Sequence, residues 1–177
     1  MEEKLLLLRP TEKYIPQYED YRREFLESGG SMDGAGSLRR CESGREWLDH
    51  VEQYSRPETV PEGRVVSTQF ILVREADERL LGMLQLRHTI EHPYLKQYAG
   101  HIGYSVRPSE RRKGYAKRML AMALPEARAL GLDRVMISCH VDNEGSRRTI
   151  LDNGGVFDST VWDKEDGKML ERYWITL

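Results

Sequence analysis

Only two cysteines, Cys41 and Cys139, stand in the 177 residues, far apart and in no spacing that suits a metal. That excludes a disulfide framework and a zinc module built on paired thiolates. Cys139 lies in an apolar stretch and is expected to be a small core residue. No apolar run approaches membrane-spanning length; Leu5-Leu6-Leu7-Leu8 is only strand-sized. The first residues, Met1-Glu2-Glu3-Lys4, lack the basic start and long apolar centre of a secretory leader. A reducing cytoplasm is the expected location. Neither sign of charge dominates: the formal net charge is −2, which argues against a dedicated nucleic-acid binder. The sequence has no internal repeat and no low-complexity tract.

What is present suits one domain over residues 1–177, with 39% hydrophobic residues to fill a core and 32% charged residues to solvate it. The chain is organised around residues 103–130, GYSVRPSERRKGYAKRMLAMALPEARAL. Tyr104-Ser105-Val106 reads as the end of a buried strand, stopped by Arg107-Pro108. A basic turn follows, Arg111-Arg112-Lys113-Gly114-Tyr115-Ala116, and a helix starts within it. Ala116, Met119, Leu120, Ala123, Ala127 and Leu130 recur at helical spacing. A strand that turns through glycine into a helix leaves the first helical N–H groups unpaired, at the positive end of the helix dipole. Gly114 and Ala116 let an anion approach the main chain, and Arg111, Arg112, Lys113 and Lys117 add cationic donors. By chemistry alone this is a phosphate seat.

The rest of the chain reads as β-α-α-β-β-β-α-β-α-β-β. Lys4–Arg9 is a strand, and Thr11 is placed to cap a helix with the stripe Tyr14, Tyr18, Tyr21, Phe25. Ser28–Ser37, with Gly29, Gly30, Gly34 and Gly36, reads as a mobile surface loop, the alternative being a flexible flap over a ligand site. Ser43–Ser55 is a helix, and Ser67–Arg74 with Arg79–His88 is a hairpin whose Gln69, Gln85 and Arg87 are expected on a solvated face. Gly100–Arg107 and Arg134–Val141 are strands on either side of the central helix. Asp142–Asn153 is a short helix, and Val156–Trp162 with Lys168–Leu177 closes the chain as a hairpin.

Arg111-x-x-Gly114-x-Ala116, preceded by Val106-Arg107-Pro108 and followed by a strand ending near Asn143, resembles the acetyl-CoA signature R/Q-x-x-G-x-G/A of the GNAT superfamily of N-acetyltransferases. The resemblance covers the element order throughout and the motifs between about Ile102 and Gly155. It implies an α/β fold with a mixed, mostly antiparallel central sheet of about seven strands flanked by helices. It also implies acetyl-CoA as cosubstrate, no metal, and direct attack by a primary amine of a small molecule or peptide. The expected partners include neither nucleic acid nor membrane, and a homodimer is left open. The alternatives are a catalytically weak CoA-binding sensor or scaffold, and an acyltransferase for a longer acyl-CoA.

By the same resemblance, the main chain of Tyr104, Ser105 and Val106 holds the pantetheine arm, Arg112 to Lys117 hold the pyrophosphate, and Asn143 touches the arm. Where many relatives carry a proton-donating tyrosine this chain has Ile150, and Gly155 stands where an aromatic often follows. Some relatives use N-x-x-S instead, present here as Asn143-x-x-Ser146, which makes Ser146 the candidate leaving-group acid. A helix-capping serine is the competing reading of that position. His101 is the candidate base, with Gly100 where the family often has a glutamate; His88, Glu91, His92 and Tyr173 are alternatives.

Overall fold

Short apolar runs such as Leu5–Leu8 and Ser67–Arg74 form the strands and apolar stripes the helices, and they follow one another in the expected order. The computed structural model describes residues 3–177; Met1 and Glu2, part of the stretch read for a leader, lie outside the described residues. The elements are β1 (Leu5–Leu8), α1 (Ile15–Ser28), α2 (Gly44–Tyr54), β2 (Ser67–Arg74), β3 (Arg79–Arg87), β4 (Ile102–Val106), α3 (Tyr115–Ala129), β5 (Arg134–His140), α4 (Glu144–Asp152), β6 (Val156–Asp163) and β7 (Lys168–Thr176). No described helix is long and apolar enough to cross a membrane.

The single sheet expected from the sequence is two antiparallel ladders, β1-β2-β3-β4 and β5-β7-β6. They meet at one corner. The His101 N–H donates to Met136 O at 2.8 Å, and the Met136 N–H donates to His101 Nδ1 at 2.9 Å. Beyond that corner β4 and β5 share no ladder among the described residues, so a groove with backbone edges opens between the sheets.

Two cores hold the first sheet from its two faces. On one, Leu72, Leu84 and Leu86 pack with Met119, Leu120, Ala123 and Ala127 of α3, and with Val135, Ile137 and Ile175 of the second sheet. This core ties the sheets together, each buried aliphatic side chain contributing roughly 1.5–3 kcal/mol. On the other, Ile71, Val73 and Met83 pack with Tyr18, Tyr21 and Phe25 of α1 and Trp47 of α2. A bulge at Leu81, where Leu72 faces Gly82 but Val73 faces Leu80, shifts the alternation by one, so Leu81 joins Leu84 in the first core while Leu80 joins Met83 in the second. Leu130, expected on the α3 stripe, is the residue past its end and 43% exposed.

The helix starts differ in how they are held. In α2 the Ser43 hydroxyl accepts from the Glu46 N–H at 3.1 Å, and the Glu46 carboxylate accepts from the Glu42 N–H at 2.7 Å. Thr11 does not cap α1: a 3₁₀ turn, Glu12–Tyr14, intervenes, and the main chain of Thr11 bonds the Tyr18 hydroxyl instead.

The glycine-rich connection after α1 is not a mobile surface loop. Met32 and Ala35 are buried, Trp47 Nε1 donates to Ala35 O at 2.8 Å, and Gln69 Nε2 donates to Gly34 O at 2.7 Å. Gly34 has φ +73°, and a Cβ there would stand 2.3 Å from Gly103 O. Only glycine lets this segment lie flat against β4.

Candidate active site

The seat at the start of α3 is built by backbone conformation. Arg112 and Gly114 have φ of +62° and +81°, which turns successive N–H groups to one side. Left-handed backbone at a non-glycine residue is unfavourable and is retained where it has a task. Gly114 is the N-cap and offers no side chain; the first backbone bond of the helix runs from the Arg118 N–H to Gly114 O at 3.2 Å. The N–H groups of Arg112 to Lys117 have no protein acceptor among the described residues. A Cβ built on Gly114 meets nothing within 4 Å, so the space before these amides is open.

The ring of cations expected around the seat is largely engaged elsewhere. Lys113 Nζ donates to Glu110 at 2.7 Å, and Lys117 Nζ lies 3.1 Å from Asp152. Arg111 lies over the Phe25 ring, 5.4 Å from its centroid, and its Nε donates to Val106 O at 3.3 Å. Tyr115 turns inward, its hydroxyl accepting from Arg74 and donating to Glu3. Arg112 alone of the four cations makes no side-chain bond among the described residues. The seat therefore rests on main-chain dipoles, with Arg112 free to reach across it.

The β4 edge completes the groove. The His101 carbonyl accepts from the Arg87 N–H at 2.7 Å and the Arg107 N–H donates to Leu81 O at 2.8 Å, so odd-numbered residues pair with β3. Alternation turns the main-chain groups of Tyr104 and Val106 toward the gap. Ser105, expected to share that role, is committed to the other side: Ser105 Oγ and O both lie 3.0 Å from the Tyr21 hydroxyl.

Across the groove, Asn143 caps α4, its Oδ1 accepting from the Ser146 N–H at 3.1 Å. Ser146 is thus not the cap; its hydroxyl is 2.8 Å from the Tyr104 hydroxyl. Burial first and foremost raises the Tyr104 phenol, so it stays protonated. Ile150 is fully buried, and a Cβ on Gly155 would stand 2.4 Å from Ile150 Cγ2, so neither position has room for an aromatic acid. Cys139 is buried, which pushes its thiol up to about 11.

The expected base does not reach this groove. His101 is 5% exposed, and burial, with Arg87 and Arg134 nearby, pushes it down to about 4. Its Nδ1 is occupied by the Met136 N–H, and the ring faces Trp174 on the side of a separate open depression of about 740 Å³. Among the alternatives, His88 Nε2 is 2.9 Å from Thr68 Oγ1, and Tyr173 is buried with its hydroxyl donating to Glu171 at 2.7 Å. Glu91 is exposed, and His92 lines a cavity on the α1/α2 face.

A pocket is expected from the early helices, the glycine-rich loop and the last hairpin; this cavity uses α2 and the glycine-rich segment, but its wall is completed by β2 and β3 and not by the last hairpin. The cavity encloses about 440 Å³, and Gln69, Gln85 and Arg87, expected on a solvated face, are part of its wall, with Trp47 and His50 of α2. On β2 the face runs Ser67, Gln69, Ile71, Val73, changing from polar to apolar as the helices close over it. Polar residues continuing a core-facing alternation were the available signal. Two three-residue groups, Cys41 with Glu46 and His50, and His140 with Asp163 and Asp166, also bring metal-type donor atoms within 4.8 Å of one another.

A nest of free amides at a helix start, beside a strand edge left open where two sheets part, is a cleft suited to an anionic group and an extended chain. The chain belongs to the Acetyltransferase (GNAT) family, whose model matches residues 35–152, and it is an acyltransferase of that family. No curated protein sequence matches it. It is similar in structure to RimL, a ribosomal-protein α-N-acetyltransferase in complex with coenzyme A, at 18% identity and TM-score 0.73, over 99% of this chain and 96% of that one. MccE, a microcin self-immunity acetyltransferase in complex with acetyl-CoA and AMP, matches at 18% identity and TM-score 0.70, over 99% and 94%. Spermidine N-acetyltransferase from Vibrio cholerae, in complex with CoA and spermine, matches at 15% and 0.67, over 97% and 95%.

Proposed function

We propose that one domain spanning residues 1–177 acts in the cytoplasm to transfer the acetyl group of acetyl-CoA to a primary amine of a small molecule or peptide, by direct attack in a ternary complex. The observation that carries this reading is the run of unpartnered N–H groups from Arg112 to Lys117, set beside the outward edge of Tyr104 and Val106. Acetyl-CoA, when bound, supplies the thioester. The amides of Arg112 to Lys117 grip the diphosphate, with Arg112 as the reaching cation. Tyr104 and Val106 fix the arm as an added strand would, and a main-chain N–H there stabilises charge developing on the carbonyl oxygen. Asn143, its Oδ1 spent on the cap, offers Nδ2 to the arm. The Tyr104–Ser146 hydroxyl pair delivers a proton toward the leaving sulfur. Holding donor and acceptor together supplies much of the remaining acceleration.

Free-thiol release from acetyl-CoA, followed over a panel of amines, tests the proposal. Amine-dependent release is expected, faster with acetyl- than with succinyl-CoA. Tight CoA binding by calorimetry with no release from any amine would replace it with the non-catalytic module.

A further inference from the structure

The cavity on the α1/α2 face carries positive charge and no negative charge. Arg40, Arg64 and Arg87 line it, and no Asp or Glu does. None of the three makes an ion pair among the described residues. Arg87 donates only to the carbonyls of Gly100 at 3.1 Å and Ala99 at 3.4 Å. Burial disfavours its charge enough to lower its pKa, with Asp33 acting on it only through space. A half-buried guanidinium with no carboxylate in contact is costly, and an arriving anion relieves that cost.

A second polar group in the same wall lacks a partner. Gln69 is 4% exposed, and its Nε2 donates to the carbonyls of Gly34, Phe70 and Leu84, which fixes the amide's orientation. Its Oε1 has no partner among the described residues, and lies 3.7 Å from where a Cβ on Gly36 would stand. It is an acceptor waiting for an N–H.

The cavity also adjoins the strand whose edge opens on the groove. Gln85 faces Gly103 in the β3–β4 register, and an Arg87 nitrogen stands 3.5 Å from where a Cβ on Gly103 would be. Gly103 immediately precedes Tyr104, whose edge opens on the groove. The volume of about 440 Å³ suits a metabolite.

We infer that this cavity takes the amine acceptor, and that the acceptor is a small molecule carrying a carboxylate, phosphate or phosphonate besides its amine. The inference rests on the function proposed above and names its substrate class. The arginines hold the anionic end, and Gln69 Oε1 accepts from the nitrogen. The same cationic field disfavours the ammonium form, which helps present the neutral nucleophile. A polyamine meets three like charges here and no carboxylate, so it is selected against.

Calorimetry on the CoA-loaded protein provides the test, with 2-aminoethylphosphonate and β-alanine as the phosphonate and carboxylate probes, and putrescine and ethanolamine as comparators whose second group is an ammonium and an uncharged hydroxyl. The anionic amines are expected to bind at least tenfold more tightly than putrescine, and the better of the two identifies the anion. Arg87→Gln is expected to weaken that binding at least tenfold while CoA affinity stays within twofold. Should Arg87→Gln misfold, the double variant of the exposed Arg40→Gln and Arg64→Gln reads the same field. Preference for putrescine, or anion binding untouched in these variants, overturns the inference even if thiol release occurs with cationic amines. Anionic amines that bind as expected but release no thiol sustain this site and refute the acetyl transfer.

Discussion

The Tyr104 and Ser146 hydroxyls, one from β4 and one from α4, lie 2.8 Å apart on opposite walls of the groove between the sheets. With Ile150 where many relatives carry a tyrosine, this pair is the proton source we propose for the leaving sulfur. A thiol is already a good leaving group, so the demand on the acid is modest. Ser146→Ala is expected to lower kcat about 10- to 100-fold with little change in KM for acetyl-CoA, and Tyr104→Phe by a smaller factor. Because burial keeps the phenol protonated, its ionisation is not expected to limit activity in moderately alkaline buffer. Steady-state thiol release across pH checks both points; full kcat in Ser146→Ala would remove the pair from the chemistry.

Gly114 tests the seat without touching a side chain. Its φ of +81° is open to glycine and strained for valine, while the space around its Cβ position is empty. Gly114→Val is therefore expected to distort or obstruct the nest and not the core. CoA affinity should fall more than tenfold, about 1.4 kcal/mol, in a protein with an unchanged circular dichroism spectrum. Arg112→Ala should weaken CoA binding more than Lys113→Ala, because Lys113 is already tied to Glu110 at 2.7 Å. The reverse order would show that the lysine turns away from Glu110 to meet the ligand.

His101 makes its mark on stability. Its pKa is about 4 in the folded chain and about 6.5 unfolded, so between those values the unfolded chain binds the extra proton. The contribution is complete above about pH 6.5 and is lost as pH falls toward 4, about 2 kcal/mol between pH 7.5 and 5. Urea unfolding at the two pH values measures it. His101→Gln should flatten the difference, whereas an unchanged pH dependence would mean that other groups carry it.

How much of this was legible follows from how local each signal is. The α3 seat was readable because Arg111-x-x-Gly114-x-Ala116 is contiguous and Met119, Leu120, Ala123 and Ala127 repeat at one period. The parting of β4 from β5 was not, since no residue of either strand encodes which neighbour it lacks. Gln69, Gln85 and Arg87 show the general difficulty. Alternation assigns their face, but a polar residue at such a position is compatible with water or with a cavity roofed by distant helices. His101 was misplaced for a related reason: its carbonyl serves β3 while its N–H and its ring both bond Met136 of the other sheet. Glycines 29, 30, 34 and 36 signalled irregular backbone correctly, yet carried no sign that Trp47 and Gln69 would grip that backbone.

Gly34 joins that segment to the catalytic groove, and two glycine substitutions separate backbone strain from contact. Alanine at Gly34 and at Gly36 would each sit at positive φ, +73° and +56°, a cost of about 1 kcal/mol for either. The Cβ at 36 would rest an ordinary 3.5 Å from Gln85 Nε2, whereas the Cβ at 34 would fall 2.3 Å from Gly103 O. That atom is backbone, so the loop or β4 must move. Gly34→Ala is therefore expected to cost about 2–4 kcal/mol, a fall in Tm of roughly 5–10 °C, against about 3 °C for Gly36→Ala. A displaced β4 also shifts the Tyr104 edge and the Arg87 head, so kcat/KM should fall about tenfold or more in Gly34→Ala. Calorimetry on the pair decides the matter for stability, since a Cβ at 36 also faces Gln69 Oε1 in the proposed acceptor cavity: equal falls in Tm would assign the stability effect to φ and leave the β4 contact without weight.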